Sequence, residues 1–284
     1  MRILVFIFLC LIWGSTWMAI KIGLSTAPPL WGASIRFIVA IVILYGIILI
    51  KRYRLPKKIK ELFRIGYPGI FAYGISYALV YIAEQHISSA MTAVLFASFP
   101  LFVAILSLKL LKDEKVKPLA WIGLIFGFLG IVVISYDSLQ TSQFLFIGAI
   151  LAVAASLASS YATVLIRRTI KGENIIVTLA IQMSLGCIIL VISALIFEDI
   201  RDFHIVAETV GSILYLSVLG TVTAFFGYYW LLARTKAVIV SLITFVAPII
   251  SILIGMVGFS ETFSNGVILG SAMILSGVLM VIKK

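Results

Sequence analysis

Charge is what this chain has least of. Only 12% of its 284 residues are Asp, Glu, Lys or Arg, about half of the ~25% typical of soluble domains. Acidic side chains number 11 and histidines 2. The two cysteines, Cys10 and Cys187, sit in separate apolar runs with no CxxC partner, which excludes a disulfide scaffold and a cysteine-built metal site. Prolines are 7, and the 21 glycines follow no three-residue period, so disordered and collagenous classes fall away as well. What fills the space is apolar: 63% of residues are hydrophobic and the mean hydropathy is +1.22. Such a chain is built for lipid.

Catalytic signatures are missing too. No GxxxxGK[ST] phosphate loop occurs, so nucleotide hydrolysis by that route is excluded. HExxH and GxSxG are absent, and His86 and His204 fall at the edges of apolar runs. The expectation is a protein that is not an enzyme and needs neither cofactor nor metal.

Apolar runs long enough to cross a bilayer recur along the whole chain, at 3–24, 30–50, 65–86, 88–110, 118–136, 145–166, 175–197, 209–232, 237–258 and 264–282. A helical crossing needs ~20 apolar residues, so the reading is an all-α membrane protein of ten transmembrane helices. A membrane barrel would require short segments of alternating polarity. Leu124 to Ile134 and Ile188 to Leu195 are apolar on every face. Arg2 precedes a first run too long for a signal peptide and closely followed by others, so that run is kept as structure.

The net charge of +11 would suggest nucleic acid until its placement is traced. With the amino terminus inside, all basic residues except Lys21, Arg36 and Arg201 fall in cytoplasmic loops or at cytoplasmic helix ends, the densest cluster running from Lys51 to Arg64. Lys and Arg near span ends resist translocation. Both termini are therefore expected in the cytoplasm of a multi-pass cell-membrane protein. The basic excess faces the lipid bilayer surface, and no nucleic acid partner is expected.

An internal repeat organises the spans. Pro100 and Pro248 match at an offset of 148, as do Tyr77 with Phe225 and Tyr81 with Tyr229; Glu114 with Glu261, Gly123 with Gly270 and Gly130 with Gly277 match at 147. The unit is five spans, residues 1–137 and 138–284. Because five is odd, the second copy enters the membrane from the opposite side. Inverted five-helix repeats are the architecture of secondary transporters, whose solute sites lie near the midplane between the repeats.

Together Trp13-Gly14-Ser15-Thr16-Trp17, Arg36, the small-residue run into Pro100, and Glu114, Gly123 and Gly130 with their second-half copies resemble the drug/metabolite transporter superfamily, specifically its EamA-type ten-helix members. The resemblance covers the whole chain. It implies a multi-pass exporter of small organic metabolites, often amino acids or related compounds. The second half lacks the Trp-Gly-Ser sequence and has Ala158-Ser159-Ser160-Tyr161 in its place.

Candidate solute-binding residues follow from depth and polarity. Trp13, Ser15, Thr16 and Trp17 lie within about a turn of the first span's centre, where Gly14 is either a hinge or a close-packing residue. Tyr73, Tyr77 and Tyr81 step by four along one helix face, and Phe225 and Tyr229 repeat two of those positions. Arg36 lies well inside the second span, where a charge is costly. It is expected either to snorkel outward, to pair with Glu84, or to receive a substrate carboxylate. Ser159, Tyr161 and Thr244 complete the set. Pro100 and Pro248 are the candidate gates, because each removes a backbone donor near the centre of its span. Gly123 and Gly127 form a GxxxG that suits a homodimer face or packing inside one bundle, so monomer and homodimer stand level.

Overall fold

A computed structural model describes residues 1–87, 92, 95–111, 115–134, 145–170, 172–247, 249–250 and 265–283, leaving aside the side chains of Trp17, Met18, Lys21, Ile134, Leu145, Asn265 and Val267. Every regular element among them is helical. In hydrocarbon the backbone must satisfy its own hydrogen bonds, and a helix does so within one segment. We number the elements α1 (Arg2–Leu24), α2 (Pro29–Lys51), α3 (Ile59–His86), α4 (Phe99–Leu110), α5 (Pro118–Ile134), α6 (Leu145–Thr169), α7 (Ile175–Phe197), α8 (Ala207–Arg234), α9 (Ala237–Ala247) and α10 (Asn265–Ile282). Five of these, α2, α3, α6, α7 and α8, have both the length and the hydropathy to cross a membrane within the described residues. The others are apolar as well.

Polarity is arranged for lipid. Leu49, Phe146 and Phe197 stand more than two-thirds exposed on the outer surface, while Ser34, Ser76, Ser160, Gln182, Thr221 and Ser241 are buried. The interior holds the hydroxyls and amides, and those of Ser76, Ser160, Gln182 and Thr221 are hydrogen-bonded between helices. Tyr73, Tyr229, Phe37 and Phe245 are the bulkiest fully buried side chains.

Small residues set the closest approaches. A Cβ on Gly123 would lie 2.6 Å from the Gly277 carbonyl oxygen, and one on Gly130 would lie 2.7 Å from that of Gly270. Those two pairings run α5 and α10 antiparallel, with backbone against backbone. Gly127 of the same GxxxG faces the Phe245 ring. Elsewhere α2 packs on α7, α3 on α6 and α7, α1 on α8, and α4 on α6 and α9.

Three local features depart from uninterrupted helices. Both α3 and α8 contain a π-helical stretch, Ile70–Ile75 and Leu216–Thr223, at positions that correspond under the repeat offset of 148. The widened turn leaves carbonyl groups short of intrahelical partners. Pro100, expected near the middle of a continuous span, stands instead at the first turn of α4, after a turn at Ala97 and Ser98. There its missing N–H costs little. The carbonyl of Phe96, four residues earlier, accepts from Ser156 Oγ at 3.2 Å, and that of Phe99 accepts from Ser160 Oγ at 3.1 Å. Pro248, Glu114 and Glu261 lie outside the described residues.

A carboxylate closes one helix junction. Glu198, just past the end of α7, accepts from the backbone N–H groups of Leu30 and Trp31 at 2.9 Å each. It caps the otherwise unsatisfied first turn of α2.

Candidate functional site

Seven of the helical elements converge on one cavity of about 180 Å³. A single water needs roughly 10–15 Å³ on that measure, so there is room for a small organic solute. Residues of both sequence halves line it.

The wall is aromatic. Trp13 of α1 meets Phe225 and Tyr228 of α8 with ring centroids 5.4 Å apart in each case, and Phe225 meets Tyr73 of α3 edge-on at 4.9 Å. These contacts lock the rings against one another, leaving faces and edges to a solute. Tyr73, Tyr77 and Tyr81 all line the cavity. The stripe survives although Tyr73 lies inside the π-helical stretch Ile70–Ile75.

Deep hydroxyls are bonded in series. Tyr73 donates to the Tyr229 hydroxyl at 2.9 Å, Tyr229 donates to Gln182 Oε1 at 2.5 Å, and Gln182 Nε2 donates to the Ile65 carbonyl at 2.8 Å. The chain joins α3, α8 and α7 and ends on backbone. Thr163 of α6 shares a hydrogen bond of 3.0 Å with Tyr228. These groups are satisfied by protein, so each tyrosine presents the cavity chiefly with its ring.

Arg36 is the exception to an apolar, self-satisfied lining. It is only 2% exposed, so it does not snorkel to the surface. Its Nε donates to Thr221 Oγ1 at 2.7 Å and its Nη2 to the Gly220 carbonyl at 3.3 Å. Both acceptors belong to the π-helical stretch of α8, whose Gly220 carbonyl also receives the Trp13 indole N–H at 3.4 Å. The guanidinium lies 5.6 Å from the ring centres of both Phe37 and Tyr77. Among the described residues no carboxylate approaches it within ion-pair distance. The expected pairing with Glu84 is absent, though both side chains line the same cavity.

The candidates divide plainly. Trp13, Thr16, Arg36, Tyr73, Tyr77, Tyr81, Ser159, Phe225, Tyr229 and Thr244 line the cavity. Thr244 does so while donating to the Ser241 carbonyl at 2.9 Å. Ser15 does not line it: its hydroxyl bonds the Ile12 carbonyl and Tyr215. Tyr161 is turned away as well, its ring edge-on against Phe71. Gly14 marks the crossing of α1 with the end of α9, where a Cβ would lie 2.9 Å from the Ala247 carbonyl oxygen. Of Trp17 only the backbone is described.

Four polar lining residues were not among the candidates: Ser76, Thr163, Tyr228 and Glu84, the last considered only as a partner for Arg36. Helical spacing carried the signal for two of them, since Thr163 is four past Ser159 and Glu84 three past Tyr81. Among the described residues no cluster of His, Cys, Asp or Glu could hold a metal.

Comparison with known proteins supplies a family and a likeness of fold. The model of the EamA-like transporter family matches residues 1–136 and 146–283. The "Uncharacterized transporter YoaV" of Bacillus subtilis (strain 168) is 28% identical over 95% of this chain and 92% of its own length. An "Uncharacterized transporter" of Archaeoglobus fulgidus is 29% identical, with 96% and 95% covered. The "Uncharacterized inner membrane transporter YedA" of Escherichia coli (strain K12) is 26% identical, with 96% and 88% covered. A crystal structure sharing 17% identity superposes with a TM-score of 0.83 over 99% of this chain and 96% of the other, a likeness of fold.

Proposed function

Because the chain belongs to the EamA-like transporter family, we propose that it is a secondary transporter that exports small organic metabolites, amino acids or related compounds, across the cell membrane by alternating access. The observation that carries this reading is the cavity, lined from both sequence halves and closed by side chains that bond across them. Solute sites of inverted-repeat transporters sit in that position.

Two features support inverted five-helix halves, 1–137 and 138–284, forming ten crossings. The π-helical stretches of α3 and α8 correspond under the repeat offset. The α5–α10 contact is reciprocal: Gly123 meets Gly277 and Gly130 meets Gly270, and the repeat relates Gly123 to Gly270 and Gly130 to Gly277. Reciprocity of that kind is the signature of a two-fold relation between antiparallel copies. The basic loops support cytoplasmic termini.

In this reading Trp13, Tyr73 and Phe225 hold the apolar body of the solute, and Arg36 receives an anionic group such as a carboxylate. Thr16, Ser159 and Thr244 supply hydroxyls along the wall. Counterflow of labelled amino acids, sugars and nucleosides into liposomes containing the purified protein tests the proposal. Saturable uptake of at least one class is expected. Flux that never saturates would point to a passive channel, and no flux in any class would overturn transport of these metabolites.

A further inference from the structure

The geometry points to Glu84 as a second binding group of the cavity, one that takes the cationic, ammonium-like centre of a solute and holds a proton when the solute is gone. This rests on the cavity being the solute site, and it assigns that site a charge preference the family match does not give.

Glu84 lies on the face of α3 that carries Tyr77 and Tyr81, and it lines the same cavity as Arg36. Among the described residues it is the cavity's only carboxylate. Its Oε1 is shut off from solvent and accepts no hydrogen bond among those residues. A buried carboxylate oxygen without a donor is costly unless something supplies one. A bound ammonium or a proton would do so.

Among the described side chains none offers a substitute. From α2 the only charged group facing it is Arg36, which is committed to Thr221 and Gly220. From α3 itself come the Tyr77 and Tyr81 rings and, two residues on, the exposed His86. The basic residues of α6, Arg167 and Arg168, stand at its far end. No charged residue occurs within α7, and Glu198 beyond it is engaged with the amino end of α2. α1 contributes Trp13, Thr16 and Ile20 to the cavity, none of them charged.

The chemistry balances simply. A protonated Glu84 meets a solute ammonium, the carboxyl proton passes to water, and an ammonium–carboxylate pair replaces the O–H bond. One proton leaves for each cation bound. Departure of the solute reverses the exchange.

Binding to the full-length protein in lipid nanodiscs tests the assignment with two probes that fit an aromatic wall: phenethylamine, a cation, and 3-phenylpropanoate, an anion. Wild type is expected to bind phenethylamine, more weakly as the medium is acidified and with proton release to a pH-indicator dye. Glu84→Gln should weaken the amine about tenfold or more, abolish that pH dependence, and leave 3-phenylpropanoate bound through Arg36. Glu84→Asp should restore the pH dependence of amine binding in part, which keeps the assignment testable if the Gln variant folds poorly. Phenethylamine that fails to bind wild type, or binds Glu84→Gln with unchanged affinity and pH dependence, would overturn it. Amine binding that depends on Glu84 in a protein without saturable counterflow would retain this site and overturn transport. Saturable counterflow with amine binding indifferent to Glu84 would do the reverse.

Discussion

Arg36 is the one fully charged side chain buried among the described residues, and a buried charge in a membrane protein must find compensation inside the protein. It finds neutral oxygens, the Thr221 hydroxyl and the Gly220 carbonyl, which hold the guanidinium in place without cancelling its charge. An anionic solute group would complete that compensation. Arg36→Gln is expected to reduce saturable counterflow about tenfold or more while surface expression persists; undiminished uptake would remove Arg36 from the site. The Tyr73–Tyr229–Gln182 series makes a different kind of prediction, since all its members are bonded to protein. Gln182→Leu strands the Ile65 carbonyl and the Tyr229 hydroxyl, and thermal unfolding in detergent should register a loss of roughly 1–3 kcal/mol. Tyr73→Phe removes one donor and should cost about 1 kcal/mol. At this scale much of the candidate cavity's lining was legible from residue type and spacing. The tyrosine stripe, Trp13 and Arg36 all line the cavity as their helical positions suggested. Ser15 and Tyr161 were not separable from them, because adjacent helical residues differ by about 100° in direction and only the packed bundle decides which face looks inward. Gln182 gave no signal at all: one amide in an apolar helix acquires meaning only from the carbonyl and hydroxyl opposite.

At the scale of elements, lipid solvent explains why span positions read so clearly. α7 spans the run expected for it, and α2, α6 and α8 differ at their ends by a few residues. The π-helical stretches stayed hidden because Ile70–Ile75 and Leu216–Thr223 are each too short for one widened turn to show as a shift in sequence periodicity. Pro100 misled for a related reason. Sequence position puts it mid-span, yet the chain turns at Ala97 and Ser98 so that proline opens a helix, and Ser156 takes the carbonyl of Phe96. Close helix contact yields a direct test. Gly277→Leu forces a branched side chain into the Gly123 backbone, where even a Cβ would lie 2.5 Å from the carbonyl oxygen. Overpacking should cost about 1–3 kcal/mol, seen as a lowered unfolding temperature in detergent, whereas leucine at Gly46, which has no atom within 4 Å of a Cβ, should be tolerated. Loss of the carboxylate cap through Glu198→Ala should cost about 1 kcal/mol by the same measurement.

For the whole molecule, the scarcity of charge and its one-sided placement make the topology claim. A fluorescent protein fused after Lys284 should mature in the cytoplasm, and a phosphatase fused at the same point should stay inactive; the opposite pair of results would reverse the orientation. The central claim is that the cavity between the halves is the path of the solute. Saturable counterflow in proteoliposomes, compared between wild type and Thr163→Trp, tests it most directly. Thr163 lines the cavity, and an indole there would occupy the space of a solute while leaving the outer lipid-facing surface unchanged. Wild type should show saturable counterflow, and the correctly inserted Thr163→Trp protein should show almost none. Equal saturable flux through both proteins would contradict the account.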